Sequence, residues 1–225
     1  MPIKTLSIVI PAYNYAQYIG ECIESVLNQS QKADEIIVVD DESKDNTKEI
    51  VSKYPVKYIW QKNKGLSGAR NTGIKEATGN FLMCLDSDDL LRENAIKEMM
   101  VLADEKVIAQ AGLMYFGTQI ATFFPQGANL ESMKHSNSIY CNSIFPKSLW
   151  KSIGGYDESD IMRLGWEDYL FWYECMKAGA TLKTSNYIAL LYRRHGKTMT
   201  MNTTHPNLDK IKGYMKSKHP ELILY

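Results

Sequence analysis

The chain has 225 residues, enough for one α/β domain with a sizeable core, and no linker or low-complexity stretch divides it. Lys plus Arg number 26 and Asp plus Glu number 26, so no overall positive field gathers nucleic acid, and a phosphate-bearing ligand has to be met locally. Cys22, Cys84, Cys141 and Cys175 form no C-x-x-C pair and mostly fall in apolar segments, as reduced thiols of a cytoplasmic protein do. No window approaches the ~18 apolar residues of a membrane span. The lead-in from Met1 to Lys4 is too short for a signal peptide.

Leu6 to Pro11 is a short β-branched run stopped by proline and reads as a buried strand. Tyr15, Tyr18, Ile19, Cys22, Ile23, Val26 and Leu27 then recur at helical spacing. Asp34 to Asp41 is the next strand and Lys44 to Tyr54 the next helix, with Asp45 or Asn46 as its cap. Val56 to Trp60, Leu66 to Ala77, Asn80 to Asp86 and Arg92 to Ala103 continue the alternation, and Lys106 to Phe116 adds a strand. Repeated β-α units predict a mostly parallel central sheet with helices on both faces. Residues 117 to 140 give no element. Pro146 to Ile153 reads as a short helix before Gly154-Gly155, Glu167 to Ala178 as a helix, and Leu182 to Tyr192 as a strand. The last twenty residues read as a lysine-rich amphipathic helix interrupted by Gly213.

The apolar run Phe81 to Leu85 ends abruptly in Asp86-Ser87-Asp88-Asp89. Carboxylates crowded this closely repel one another unless a cation neutralises them. Asp-x-Asp spacing suits a hard divalent ion shared with phosphate oxygens, so the substrate is expected to carry a diphosphate. A helix N-cap accounts for one of these residues, Asp88 or Asp89, but not for all three. The first two strands end in Pro11-Ala12-Tyr13-Asn14 and Asp40-Asp41-Glu42-Ser43, on the carboxyl edge where nucleotides dock in open α/β sheets. Tyr13 offers a stacking face and Asp40 an acceptor for a base N–H; the alternative is a rim aromatic and an ordinary turn. No G-x-G-x-x-G follows either strand. Lys64 to Asn71 places small residues and Arg70 at a helix start, where Arg70 can fork onto phosphate, or where the glycines only form the turn and Arg70 pairs with a surface acid. Gly165 to Trp172 opens a helix with Glu167 and Asp168, side chains that diverge by about 100°, so one can act as a general base while the other supports. Acids at a helix start are also common for dipole reasons alone.

Taken in order, SIVIPAYN, IIVVDDES, GLSGARNTG, LDSDD and GWED resemble the family 2 glycosyltransferases, inverting enzymes built as a single GT-A type, Rossmann-like α/β domain. The resemblance covers roughly residues 5 to 195. It implies that Pro11, Ala12, Tyr13 and Asp40 hold the nucleotide base and that Arg70 lies beside the donor. Asp86, Ser87 and Asp88 match its metal and sugar-nucleotide motif, with Asp88 the direct ligand of Mn2+ or Mg2+. Asp168 matches the catalytic base, supported by Glu167, and His195 a late histidine near the diphosphate or metal; a surface histidine among basic residues is the alternative. Trp166 is placed to stack on a sugar or simply to pack.

The implied reaction is a direct displacement in which Asp168 takes the proton of an acceptor hydroxyl and the anomeric configuration inverts. A nucleotide-sugar donor, with UDP the family's commonest carrier, and a glycan or lipid-linked acceptor follow, in cell-surface glycan or polysaccharide synthesis. Residues 1–116 are expected to form the donor half, 117–204 the acceptor and base half, and 205–225 the C-terminal helix. Neither a Q-x-x-R-W motif nor membrane helices occur, which favours single-sugar transfer. Lys210, Lys212, Lys216 and Lys218 around Leu208, Ile211 and Met215 suit either peripheral contact with anionic lipid at the inner membrane face or a solvated face packed on the domain. A homo-oligomer stays open. The rival readings are a haloacid dehalogenase-like phosphatase, which Leu85-Asp86-Ser87-Asp88 can mimic, and a non-catalytic sugar-nucleotide binder.

Overall fold

The computed structural model describes residues 3–196 and 199–224; Met1 and Pro2 of the lead-in and the final Tyr225 lie outside them. Its first strand, β1 (Leu6–Ala12), is buried along its whole length, as a parallel strand covered on both faces has to be. Five strands follow the order β3-β2-β1-β4-β8, with β2 at Glu35–Asp40, β3 at Lys57–Trp60, β4 at Phe81–Cys84 and β8 at Phe145–Pro146. The first four run parallel, and β8 closes the edge antiparallel to β4.

Side chains alternate between the two faces. Val9, Ile37, Val39 and Leu82 pack against α3 (Gly65–Glu76), α5 (Lys147–Ile153) and α6 (Glu167–Lys177). Ile8, Ile10, Val38 and Met83 pack against α1 (Ala16–Leu27), α2 (Thr47–Val51) and α4 (Ala95–Met100). Helix α3 lies so close to the sheet that a Cβ on Gly73 would collide with the Val9 side chain.

A second sheet, in the order β5-β9-β6-β7, uses β5 (Leu90–Leu91), β6 (Val107–Gly117), β7 (Ala121–Phe123) and β9 (Thr181–Arg194). A bridge between Ala109 and Ile144 couples it to the first. Because β5 pairs Leu90 with Leu191, the far end of β9 returns to the Asp86–Asp89 turn. Residues 117–140, unassigned from sequence, hold β7 and a 3₁₀ turn at Ser132–Lys134.

Three differences from the sequence expectation stand out. Helices α2 and α4 hold five and six residues, shorter than Lys44–Tyr54 and Arg92–Ala103, because Leu102, Ala103 and Tyr54 continue the apolar pattern from turns. Gly213 does not interrupt α7 (Leu208–Lys218): no described residue presses on that position, and the helix is held by Ile211 and Met215, both at 0% exposure. The apolar stripe of α7 therefore packs on the domain with α6, and its lysines form the outer face. No helix among the described residues is long and apolar enough to cross a membrane.

Candidate active site

The carboxyl ends of β1 and β2 lie side by side, with Ala12 beside Asp40. Pro11 and Ala12 are buried in the strand, while Tyr13 is 48% exposed and presents its ring to solvent at the rim. Asp40 is buried: Oδ1 accepts the Ser43 N–H at 2.8 Å and Oδ2 the Tyr58 hydroxyl at 2.6 Å. Asp41 accepts the Lys64 and Gly65 N–H groups, each at 2.8 Å, and the Gln61 amide at 2.7 Å. The Lys64 and Gly65 N–H groups are orphan donors at the start of α3, so Asp41 fixes that helix to the strand end. Asp45 does the same for two helices, accepting the Ala16 N–H of α1 and the Thr47 N–H of α2.

Arg70, on α3, is 1% exposed. Expected from sequence to fork onto phosphate or to pair with a surface acid, it forks here onto two carboxylates, the buried Glu167 through Oε1 at 2.7 Å and the partly buried Asp86 through Oδ1 at 2.8 Å. The Cys141 thiol donates to the other Asp86 oxygen at 3.3 Å, so Asp86 is held from both sides. Ser87 is buried in the same turn.

Asp88 Oδ2 lies 3.0 Å from His195 Nε2, whose ring packs 5.2 Å from Tyr18 and 6.1 Å from Tyr15. Burial and the Asp86 charge push the Asp88 carboxyl up, and His195 opposes them. Arg193 pins this corner: its N–H meets Asp89, its Nε the Asp88 carbonyl and its Nη2 the Glu21 carboxylate. Its guanidinium lies between the rings of Tyr18 and Phe116, 4.7 and 4.5 Å from their centroids.

Glu167 and Asp168 open α6 after an unusual corner. Gly165 has φ 128° and would drive a Cβ into Thr204, and Trp166 follows in the left-handed region at φ 62°. Glu167 turns inward to Arg70. Asp168 stays partly exposed, accepting its neighbour's Tyr169 N–H at 2.8 Å and the Asn137 amide at 3.1 Å. Desolvation, followed by the adjacent Glu167 charge, pushes the Asp168 pKa up to about 7, against a smaller lowering by Arg70. The Trp166 ring meets Tyr169 edge-on at 5.6 Å.

The structure thus gathers Arg70, Asp86, Asp88, Glu167, Asp168 and His195 around one end of the sheet, with Tyr13 and Asp40 farther along the same rim. Sequence reasoning missed Asn137, Cys141 and Arg193. Asn137 and Cys141 sit in or beside a stretch with no periodicity, whereas Arg193 was visible in the basic run before His195.

Residues 7–156 match the family described as Glycosyl transferase family 2. An uncharacterized glycosyltransferase of Rickettsia typhi is 30% identical over 232 residues, taking in 94% of this chain and 71% of that protein. Glycosyltransferase GlyG of Streptococcus pneumoniae serotype 4 is 39% identical over 109 residues, 46% of this chain but 36% of GlyG. The crystal structure of S. aureus TarS 1–349 in complex with UDP-GlcNAc superposes with a TM-score of 0.77 at 20% identity, covering 95% of this chain and 66% of that one. At that identity the likeness is one of fold. The chain belongs to glycosyltransferase family 2, and its sheet and helices are those of a GT-A glycosyltransferase domain. Membership removes the phosphatase alternative.

Proposed function

We propose that the protein moves one sugar from a UDP-sugar to an acceptor hydroxyl with inversion, in the synthesis of a glycan or polysaccharide. The observation that carries this reading is Asp168: a partly exposed carboxylate at a helix start, with a pKa of about 7, is charged enough near neutrality to wait unprotonated and basic enough to take a proton. Asp168 removes the acceptor proton as the oxygen attacks the anomeric carbon, and the diphosphate leaves from the opposite face. Glu167, tied to Arg70, keeps the start of α6 in register with Asp86. UDP as carrier is supported by the TarS complexes with UDP and UDP-GlcNAc. Tyr13 is the stacking surface for the base, beside Pro11, Ala12 and Asp40.

A divalent ion, Mn2+ or Mg2+, would be held here jointly by the chain and the donor rather than by the chain alone. Asp88 and His195 bring a carboxylate oxygen and an imidazole nitrogen within 3.0 Å of each other. Among the described residues no three His, Cys, Asp or Glu side chains form a metal cluster, so Asp88 and His195 would hold such an ion only together with the donor's diphosphate. Asp86, held by Arg70 and Cys141, orients the turn. When bound, the ion neutralises charge on the departing diphosphate.

The test is titration calorimetry with UDP in Mn2+ and in chelator, on the wild type and on Asp88→Asn, alongside release of UDP from UDP-sugars. Binding that weakens in chelator and in the variant supports the reading. Binding indifferent to both removes the metal. UDP binding without turnover on any donor and acceptor leaves a non-catalytic sugar-nucleotide binder.

A further inference from the structure

The segment without periodicity, 117–140, builds a wall next to Asp168. Strand β7 folds back on β6, pairing Thr122 with Met114 and Ala121 with Tyr115. The Tyr115 ring meets Phe123 at 4.8 Å and Tyr192 at 5.4 Å, with the Arg194 guanidinium 5.1 Å from its centroid. This stack holds Phe123 in place yet leaves it 42% exposed, and the neighbouring Phe124 is 48% exposed. Opposite them stand Asn137, Ser138 and Tyr140, and the cleft between has a volume of about 390 Å³. Small-molecule sites span roughly 300–1,000 Å³.

The lining chemistry narrows the occupant. Aromatic rings alternate with neutral hydroxyl and amide groups, and among the described residues none that lines the cleft carries a charge. A sugar ring has this same duality, an apolar C–H face for the rings and hydroxyls for the amides. A phosphate or uronate would enter without a cation to meet it. The cleft is also continuous with the catalytic group through one side chain. Asn137 lines it, accepts the Ile139 N–H on Oδ1 at 3.0 Å, and donates from Nδ2 to Asp168 Oδ2 at 3.1 Å. Its amide is fixed at both ends, so the carboxylate lies one hydrogen bond from the bound ring.

Resting on the reading of Asp168 as the base, we propose that this cleft seats an uncharged sugar ring of the acceptor, stacked on Phe123 and Phe124, with Asn137 as a positioning residue that aims Asp168 at the hydroxyl. The acceptor is then a neutral glycan rather than a phosphorylated or uronic-acid terminus, at least in the ring nearest the reaction.

Saturation-transfer NMR on the full chain loaded with UDP tests this, using methyl glycosides of glucose, galactose, mannose and N-acetylglucosamine, with methyl glucuronide as the charged control. At least one neutral glycoside is expected to receive saturation, the glucuronide at least fivefold less. Phe124→Ala, an exposed position, should lower the signal at least fivefold with UDP affinity and melting temperature unchanged; Phe123→Ala is the second variant. In transfer to whichever glycoside binds, Asn137→Ala should raise KM and move the acidic limb of kcat/KM to higher pH, because an N–H donor that favours the carboxylate is gone. Asn137→Gln should partly restore both. No signal from any neutral glycoside, a signal that survives both phenylalanine variants, equal uptake of the glucuronide, or displacement by UDP overturns the proposal. Failure of UDP to bind at all instead overturns the donor reading, and the same variants measured without UDP still judge the cleft.

Discussion

Asp40-Asp41 and Glu167-Asp168 are both adjacent acid pairs bordering the carboxyl edge of the sheet, yet their surroundings differ. Asp40 and Asp41 together accept five hydrogen bonds from within the chain, three of them from backbone N–H groups. Glu167 pairs with a buried arginine, and among the described residues Asp168 receives its neighbour's N–H and one side-chain amide. The bonds to Asp40 and Asp41 tie them to the ends of the strands and to the start of α3, so both carboxylates are engaged in holding the fold. Desolvation first and the adjacent Glu167 charge second raise Asp168 to about 7. On the proposed function, the first pair is structural and the second holds the proton acceptor.

The largest expected effect separates the pairs by chemistry. Asp168→Asn keeps shape but cannot accept a proton, so turnover should fall roughly 10²- to 10⁴-fold with UDP affinity unchanged by calorimetry. Its stability should move the other way. A carboxylate raised from 3.8 to about 7 on folding binds more protons folded than unfolded, so its ionisation erodes stability as pH rises from about 4 to about 7. Asp168→Asn should therefore melt above the wild type at pH 8 and match it near pH 4. Wild-type turnover in this variant removes Asp168 as the base.

Arg70→Met attacks the support beneath the reactive pair. It strands Glu167, at 5% side-chain exposure, and frees Asp86. Breaking a buried pair in this way costs about 3–5 kcal/mol, measurable by denaturant unfolding. Asp41→Asn makes the same chemical change as Asp168→Asn at the structural pair. It should cost about 1.5–3 kcal/mol through the weakened hold on the Lys64 and Gly65 N–H groups. If it instead abolishes turnover with stability intact, the division between the pairs is wrong.

Sequence periodicity carried the sheet and its helices well, because β1, β2 and β4 are buried on both faces and read as unbroken apolar runs. It placed Asp86, Asp88, Glu167 and Asp168 on element ends, which the sheet order then brings to one side, whereas His195 came from the resemblance alone. Partnership was less readable. The Arg70–Glu167 contact joins residues 97 apart, and no local pattern distinguishes an arginine aimed at phosphate from one aimed at a buried acid. Asn137 could not be found because its segment is shaped by the β6–β7 hairpin and aromatic stacking, neither of which leaves a helical or strand repeat.

The smallest expected effect is the most diagnostic for the reactive pair. Glu167→Gln keeps an oxygen for the Arg70 N–H but removes a negative charge beside Asp168. With that like charge gone, and Arg70 less neutralised, both changes favour the Asp168 carboxylate, so its pKa should drop. The acidic limb of the kcat/KM profile should move to lower pH. A base of lower pKa pulls less on the acceptor proton, so the plateau rate should fall, by less than about tenfold. Donor affinity should hold, because Asp88 and Tyr13 are untouched. A limb that moves to higher pH, or a loss in Glu167→Gln as deep as that in Asp168→Asn, would mean that Glu167 is the proton acceptor and Asp168 its support.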